Sequence, residues 1–140
     1  PVFERKYVTW IEQPLDVDAM RRAAELLCGT HDYRAFCSLK KFKKSTVRTV
    51  EEVNIEHLGK EIRISCTGDG FLYHMVRILT GTLVEVGEGT RKPEDMPTIL
   101  MSMDRANAGR LMPPEGLTLE CVEYEDNLKK AMLFGPGRET

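Results

Sequence analysis

The chain has 140 residues, of which 41% are hydrophobic and 30% charged, a composition typical of one globular domain with its own core. Its 20 Lys and Arg residues against 22 Asp and Glu residues give a formal net charge of -2, so nucleic-acid binding would have to depend on a local basic patch. The absence of a membrane-length apolar run, of a signal peptide and of zinc-ligand spacing among the four cysteines predicts a cytoplasmic protein with reduced cysteines and no membrane partner.

The first predicted elements are a strand and a helix. Residues 3–11 include aromatic and β-branched side chains that favour a strand. Asp16 is expected to cap the helix that follows, with Leu15 and Met20 placed on either side of the cap as a hydrophobic staple. Gly29 is expected to end that helix.

Residues 30–45 lack clear periodicity and are predicted to form an irregular loop. Four lysines flank Phe42 within it. Such a cluster could bind a phosphate backbone, or it could be a solvated surface loop. These lysines are Lys40, Lys41, Lys43 and Lys44.

Two strands are predicted next, over residues 46–56 and 61–67, and a turn at residues 57–60 would join them as an antiparallel hairpin. In the second strand, Ile62, Ile64 and Cys66 alternate with polar residues and are expected to face the core.

Residues 71–89 contain the longest apolar pattern with helical spacing. Asp69 is expected to cap this helix and Gly87 to end it. His74, Arg77 and Gly81 would share one stripe, and Gly81 would let another backbone or a ligand come close. A guanidinium in such an apolar helix needs solvent, a carboxylate or a phosphate as its partner.

A short helix over residues 93–103, one further turn at 105–109 and a last strand over 117–124 complete the chain. We predict one domain over residues 1–126 and a weakly structured tail over 127–140. The order β-α-β-β-α-(α)-β predicts an α+β fold of the ferredoxin-like (split βαβ) type, an antiparallel sheet with helices on one face.

No strong catalytic constellation is visible in the sequence. The aspartates lie near predicted helix ends or turns, where capping is the ordinary role. Tyr73 and His74 could contact an RNA base or face the interior, and helical spacing favours the interior slightly.

Several blocks of this sequence together resemble the C-terminal half of the A-type tRNA pseudouridine synthases. The resemblance covers nearly the whole chain, from about Phe3 to Tyr124. Departures are few, namely Tyr33, where phenylalanine is common, and Leu111-Met112, where small residues are usual. The matching blocks are residues 29–36, Arg48, 68–77, Gly81, 86–89, 104–109 and 113–117.

The resemblance implies that this chain is half of an enzyme and is inactive alone. The nucleophilic aspartate and a tyrosine that stacks on the target base would belong to a missing N-terminal half. The two halves would share one long sheet with the active cleft between them. Full-length members resemble homodimers that isomerise uridines in the anticodon arm of tRNA without cofactor or metal.

Arg77 matches the family arginine that pairs with the catalytic aspartate, so the resemblance implies a catalytic role for it. Contact with the tRNA substrate is assigned to Phe36, Arg48, Tyr73 and His74, and as one of two open alternatives to Lys40, Lys41, Lys43 and Lys44. The rival interpretations are a standalone ferredoxin-like RNA-binding module without catalysis and a structural dimerisation domain.

Overall fold

A computed structural model of the protein describes residues 2–118 and shows an α+β fold with one five-stranded sheet and three α-helices. Most elements lie where the sequence predicts them. In chain order they are β1 (Phe3–Trp10), α1 (Val17–Leu27), β2 (Gly29–Asp32), β3 (Val47–Leu58), β4 (Glu61–Gly68), α2 (Met75–Glu88), α3 (Asp95–Ser102) and β5 (Leu117–Thr118).

The strands lie in the order β2-β3-β4-β1-β5, and all neighbours are antiparallel. The predicted hairpin of β3 and β4 is confirmed, with Leu58 opposite Glu61. The predicted inward residues of β4 are also confirmed, because Ile62, Ile64 and Cys66 are buried. Since β1 pairs with both β4 and β5, it lies inside the sheet, and among the strands of residues 2–118 β2 and β5 lie at the two edges.

Helix α1 begins as the sequence predicts. The Oδ1 atom of Asp16 accepts a hydrogen bond from the backbone N–H of Ala19 at 3.0 Å, which satisfies one of the free donors of the first turn. Met20 is fully buried and Leu15 packs against the same core cluster, as expected of the staple.

Helix α2 is the centre of the core, because it is buried almost all round. Both predicted ends need correction. The helix begins at Met75, since His74 has a left-handed backbone (φ 65°), and the Asp69 carboxylate accepts from the backbone N–H of Thr49 and caps no helix. It continues through Gly87 and ends at Glu88, where Gly89 (φ 87°) supplies the left-handed C-cap.

The prediction of an irregular loop over residues 30–45 is wrong at its start. Gly29–Asp32 forms the edge strand β2, in which His31 lies opposite Arg48 of β3. Four residues are too few for an alternating pattern to stand out, and the pairing that defines β2 comes from a strand later in the chain.

The last predicted elements are confirmed as far as the structure describes them. Helix α3 has Pro97 in its first turn, a short 3₁₀ turn spans Arg105–Asn107, and β5 begins at Leu117. The rest of the predicted last strand and the predicted tail lie outside the described residues. Within residues 2–118, no helix is both long enough and apolar enough to cross a bilayer.

Candidate active-site cleft

The N-terminal end of α2 borders a cleft of about 310 Å³. Its described lining comes from Arg5 of β1, the segment 71–74, the first turn of α2 with Arg77, and Leu117 of β5. Of the lining residues between positions 2 and 118, none is acidic. Arg77 therefore borders a cleft whose lining, in the described part of the chain, includes no carboxylate.

Arg77 is partly exposed and is held at one side of its guanidinium. Its Nε–H donates to the carbonyl oxygen of Met112 at 2.7 Å, and the N–H of Met112 donates to the carbonyl of Arg77 at 3.2 Å. Within residues 2–118 this is the one side-chain hydrogen bond of Arg77, and it forms no ion pair there. The two terminal Nη groups are thus left to bind a ligand from outside the described residues.

Tyr7 lies close to Arg77 and was not singled out by the sequence analysis. Its hydroxyl donates to the carbonyl of Pro113 at 2.5 Å, so β1 and the segment around Met112 are joined beside Arg77. Burial raises the pKa of Tyr7, and the positive charge of Arg77 acts in the opposite direction. The sequence feature that could have identified Tyr7 is a tyrosine at a core position of β1, because a buried phenol needs a polar partner.

Tyr73 and His74 lie at the mouth of the cleft, and the expectation of interior packing is wrong for Tyr73, which is 55% exposed. Its ring stacks on that of His74 with 3.7 Å between centroids. The His74 Nδ1 lies 2.9 Å from the Ser38 hydroxyl. Burial lowers the pKa of His74, and the positive charges of Arg77 and Arg105 act in the same direction, which favours the neutral imidazole.

A second groove, of about 450 Å³, adjoins the cleft and shares the residues 71–73 with it. Its basic lining is Lys41, Lys43, Lys44 and Arg48. Arg48 is fixed by hydrogen bonds from its Nη1 to the carbonyl oxygens of Ser45 at 2.9 Å and Val47 at 2.8 Å. Most of the basic residues that were predicted to contact the substrate therefore line one groove, and this groove adjoins the cleft that Arg77 borders.

Two predicted substrate contacts do not lie on this surface. Phe36 is fully buried in the core, where its ring meets that of Tyr33 edge-on, so the prediction that it contacts RNA is wrong. The reason is that the 3₁₀ turn Arg34–Phe36 directs this ring inward. Lys40 is exposed, but it does not line the groove. Phe42 does line the groove, and the guanidinium of Arg34 lies over its ring, 4.4 Å from the centroid.

The described residues offer neither a metal site nor a disulfide. Between positions 2 and 118, no three His, Cys, Asp or Glu side chains are grouped as metal ligands would be. Cys28, Cys37 and Cys66 are all free thiols. The polar side chains that line the cleft are those of Arg5, Tyr73, His74 and Arg77.

Comparison with known proteins gives consistent matches. A family model described as tRNA pseudouridine synthase matches residues 23–125. The chain is 48% identical over 123 residues to tRNA pseudouridine synthase A of Brevibacillus brevis, covering 88% of this chain and 50% of that protein. It is 44% identical over 124 residues to tRNA pseudouridine synthase A 2 of Clostridium perfringens (89% of this chain, 51% of that protein).

A third relative, tRNA pseudouridine synthase A of Geobacillus kaustophilus, is 44% identical over 125 residues, which are 89% of this chain and 48% of that protein. The chain thus spans about half the length of the curated relatives that it matches. These matches confirm the family that the sequence blocks indicated. The chain belongs to the tRNA pseudouridine synthase family.

Proposed function

We propose that this chain is the C-terminal half of an enzyme that converts uridine to pseudouridine in the anticodon arm of tRNA, and that Arg77 holds the nucleophilic aspartate of the N-terminal half. The enzyme would act as a cytoplasmic homodimer. One observation carries the proposal: the guanidinium of Arg77 borders a cleft, is anchored through Nε, and has both Nη groups unpaired within residues 2–118.

The reaction explains why an arginine is needed there. The bond between N1 of uracil and C1′ of the ribose breaks, the base turns, and C5 bonds to C1′ while N1 takes up a proton and C5 loses one. An aspartate can act as nucleophile only when ionised. Two parallel hydrogen bonds from a guanidinium keep a carboxylate ionised and fix its plane, which a single ammonium group does less well.

The basic groove would bind the phosphate backbone near the target uridine. A base inside a stacked stem cannot reach the cleft, so the nucleotide has to leave its stack, and contacts to the distorted backbone favour that state. Tyr73 is exposed where the groove and the cleft meet, so it is placed to contact a base there. We propose that Arg48, Lys41, Lys43 and Lys44 contact phosphates, with Tyr73 and His74 at the entrance.

The same proposal includes a finer description of the fold. The strand order β3-β4-β1-β5 supports a ferredoxin-like arrangement to which β2 is added at the edge. An edge strand presents unpaired backbone groups, so an edge of this sheet is where a second half could continue it.

The groove can be tested by replacing Lys41, Lys43 and Lys44 with alanine together. We expect weaker tRNA binding and a salt dependence of log K that is less steep by about 3, because each lysine on a phosphate contributes about 1 to the slope. A filter-binding titration at several salt concentrations measures both. Because Lys60 pairs with Glu12 and Lys92 does not line the groove, Lys60→Ala/Lys92→Ala is the control. Unchanged binding and slope in the triple variant would show that these lysines are merely solvated.

A further inference from the structure

The segment of residues 105–112, here called the strap, lies along one side of α2 and runs from the end of the helix towards its beginning. The backbone N–H of Arg110 donates to Glu85, that of Gly109 to Thr82, and that of Met112 to the carbonyl of Arg77. The strap therefore ends on the arginine that borders the cleft.

The strap and α2 approach one another at backbone distance. A Cβ atom added to Gly81 would lie 1.7 Å from the carbonyl oxygen of Arg110, which confirms the expectation that Gly81 lets another backbone come close. The Thr82 hydroxyl accepts from the buried N–H of Gly109 at 2.8 Å and donates to the carbonyl of Ile78 at 2.8 Å. Because the contact is close, the strap has little room to move along the helix.

Glu85 holds the strap both directly and through Arg91. Its Oε2 accepts from the N–H of Arg110 at 2.8 Å, and its Oε1 accepts from Nε of Arg91 at 2.7 Å. Arg91 in turn donates to the carbonyl oxygens of Asn107 and Ala108. Burial acts to raise the pKa of Glu85, but these donors outweigh it, so the pKa lies below its usual value and the carboxylate is charged at neutral pH.

We propose that Glu85 and Thr82 are positioning residues for Arg77: they hold the strap so that the carbonyl of Met112 receives the Nε–H of Arg77 and both Nη groups face the cleft. This inference rests on the proposed function, because it adds what sets the geometry of that arginine. A guanidinium has a fixed fork, so its orientation decides whether it can bind a carboxylate through two hydrogen bonds. A misplacement of about 1 Å can cost on the order of 10²-fold in rate.

The first experiment needs no catalysis. The Nε–H of Arg77 is observed by ¹⁵N NMR, and its hydrogen exchange is compared in the unmodified chain, Glu85→Gln and Glu88→Gln. The amide introduced by Glu85→Gln keeps one acceptor oxygen and loses the other, so it holds the strap less firmly. We therefore expect faster hydrogen exchange at the Nε–H of Arg77. Glu88→Gln is the matched control, since the carboxylate of Glu88 binds the side chain of Arg110 and, within the described residues, accepts from no backbone N–H of the strap. Unchanged exchange in Glu85→Gln overturns the inference.

The second experiment measures turnover in a protein that carries both halves. Glu85→Gln is expected to lower kcat by up to about 10²-fold with little change in KM, while Glu88→Gln keeps both. In an Arg77→Ala background the same Glu85→Gln change should add no further loss, because it acts through Arg77. Full additivity of the two losses would overturn the inference.

Thr82 supplies a second pair of variants in case Glu85→Gln disturbs folding. Thr82→Val leaves the N–H of Gly109 unpaired and should behave like Glu85→Gln in exchange and kcat, whereas Thr82→Ser keeps the hydroxyl and should restore both. Equal behaviour of the valine and serine variants contradicts the inference. If the two-half protein makes no pseudouridine at all, the proposed function fails, and the NMR comparison still decides whether the strap positions Arg77.

Discussion

Replacing Arg77 by lysine or by alanine is expected to lower pseudouridine formation on the order of 10²–10³-fold in a protein that carries both halves, the range seen when one preorganised donor is removed from an active site. Lysine keeps the charge but loses the two parallel donors, and alanine loses both. Affinity for tRNA should change much less, because phosphate contacts elsewhere supply most of the binding.

Single-turnover rates at saturating enzyme, together with a separate tRNA binding titration, distinguish these two effects. Arg63→Ala is the matched control, because Arg63 is exposed on β4 and pairs with Glu61, away from the residues that line the cleft. Normal turnover of Arg77→Ala would remove the arginine from the mechanism. A loss of tRNA affinity as large as the loss of turnover would assign it to binding instead.

The chain by itself is expected to form no pseudouridine in unmodified tRNA, whereas adding an N-terminal half should restore turnover. The physical reason is that no described residue lining the cleft carries a carboxylate, and the proposed function places the nucleophilic aspartate in the N-terminal half. The N-terminal half of the Brevibacillus brevis relative is a suitable partner, since this chain is 48% identical to the matching part of that protein.

The assay compares the chain alone, the N-terminal half alone and the mixture, over a range of concentrations. A mixture made with the Arg77→Ala chain is the control, because it can still associate and bind tRNA but should not recover activity. Clear turnover by the chain alone would contradict the interpretation that it is half of a catalytic unit, and would require a nucleophile within it.

The sequence predicted the elements whose evidence is local. The helical spacing of α2, the alternation in β4 and the Asp16 cap all depend on residues within a few positions of one another, and the structure confirms each. The family could likewise be recognised from contiguous blocks such as residues 68–77, and the comparisons confirm it.

The features that the sequence could not predict depend on distant partners. The carbonyl that fixes Arg77 belongs to Met112, 35 positions later, and Tyr7 binds the carbonyl of Pro113, 106 positions later. Backbone carbonyls carry no side-chain signature, so no residue pattern marks them. The late start of α2 was unpredictable for a different reason. His74 has a left-handed backbone, which is unusual for a residue other than glycine, so the sequence gives no sign of it.

Phe36 shows the limit of assigning function by residue type. An aromatic ring near a basic loop fits RNA stacking as well as it fits a core, and only the packing against Tyr33 decides between the two. Tyr73 shows the opposite case, since its place in an apolar stretch favoured the core, yet it is one of the most exposed aromatic residues in the described part of the chain.

The central claim is that Arg77 pairs with a carboxylate of the N-terminal half, and a crystal structure of a protein that carries both halves tests it most directly. We predict that the Nη groups of Arg77 lie about 2.7–2.9 Å from the two oxygens of one aspartate of that half, while Nε remains on the carbonyl of Met112. An aspartate of the N-terminal half that lies elsewhere in the cleft, with Arg77 bound to another group, would contradict the account.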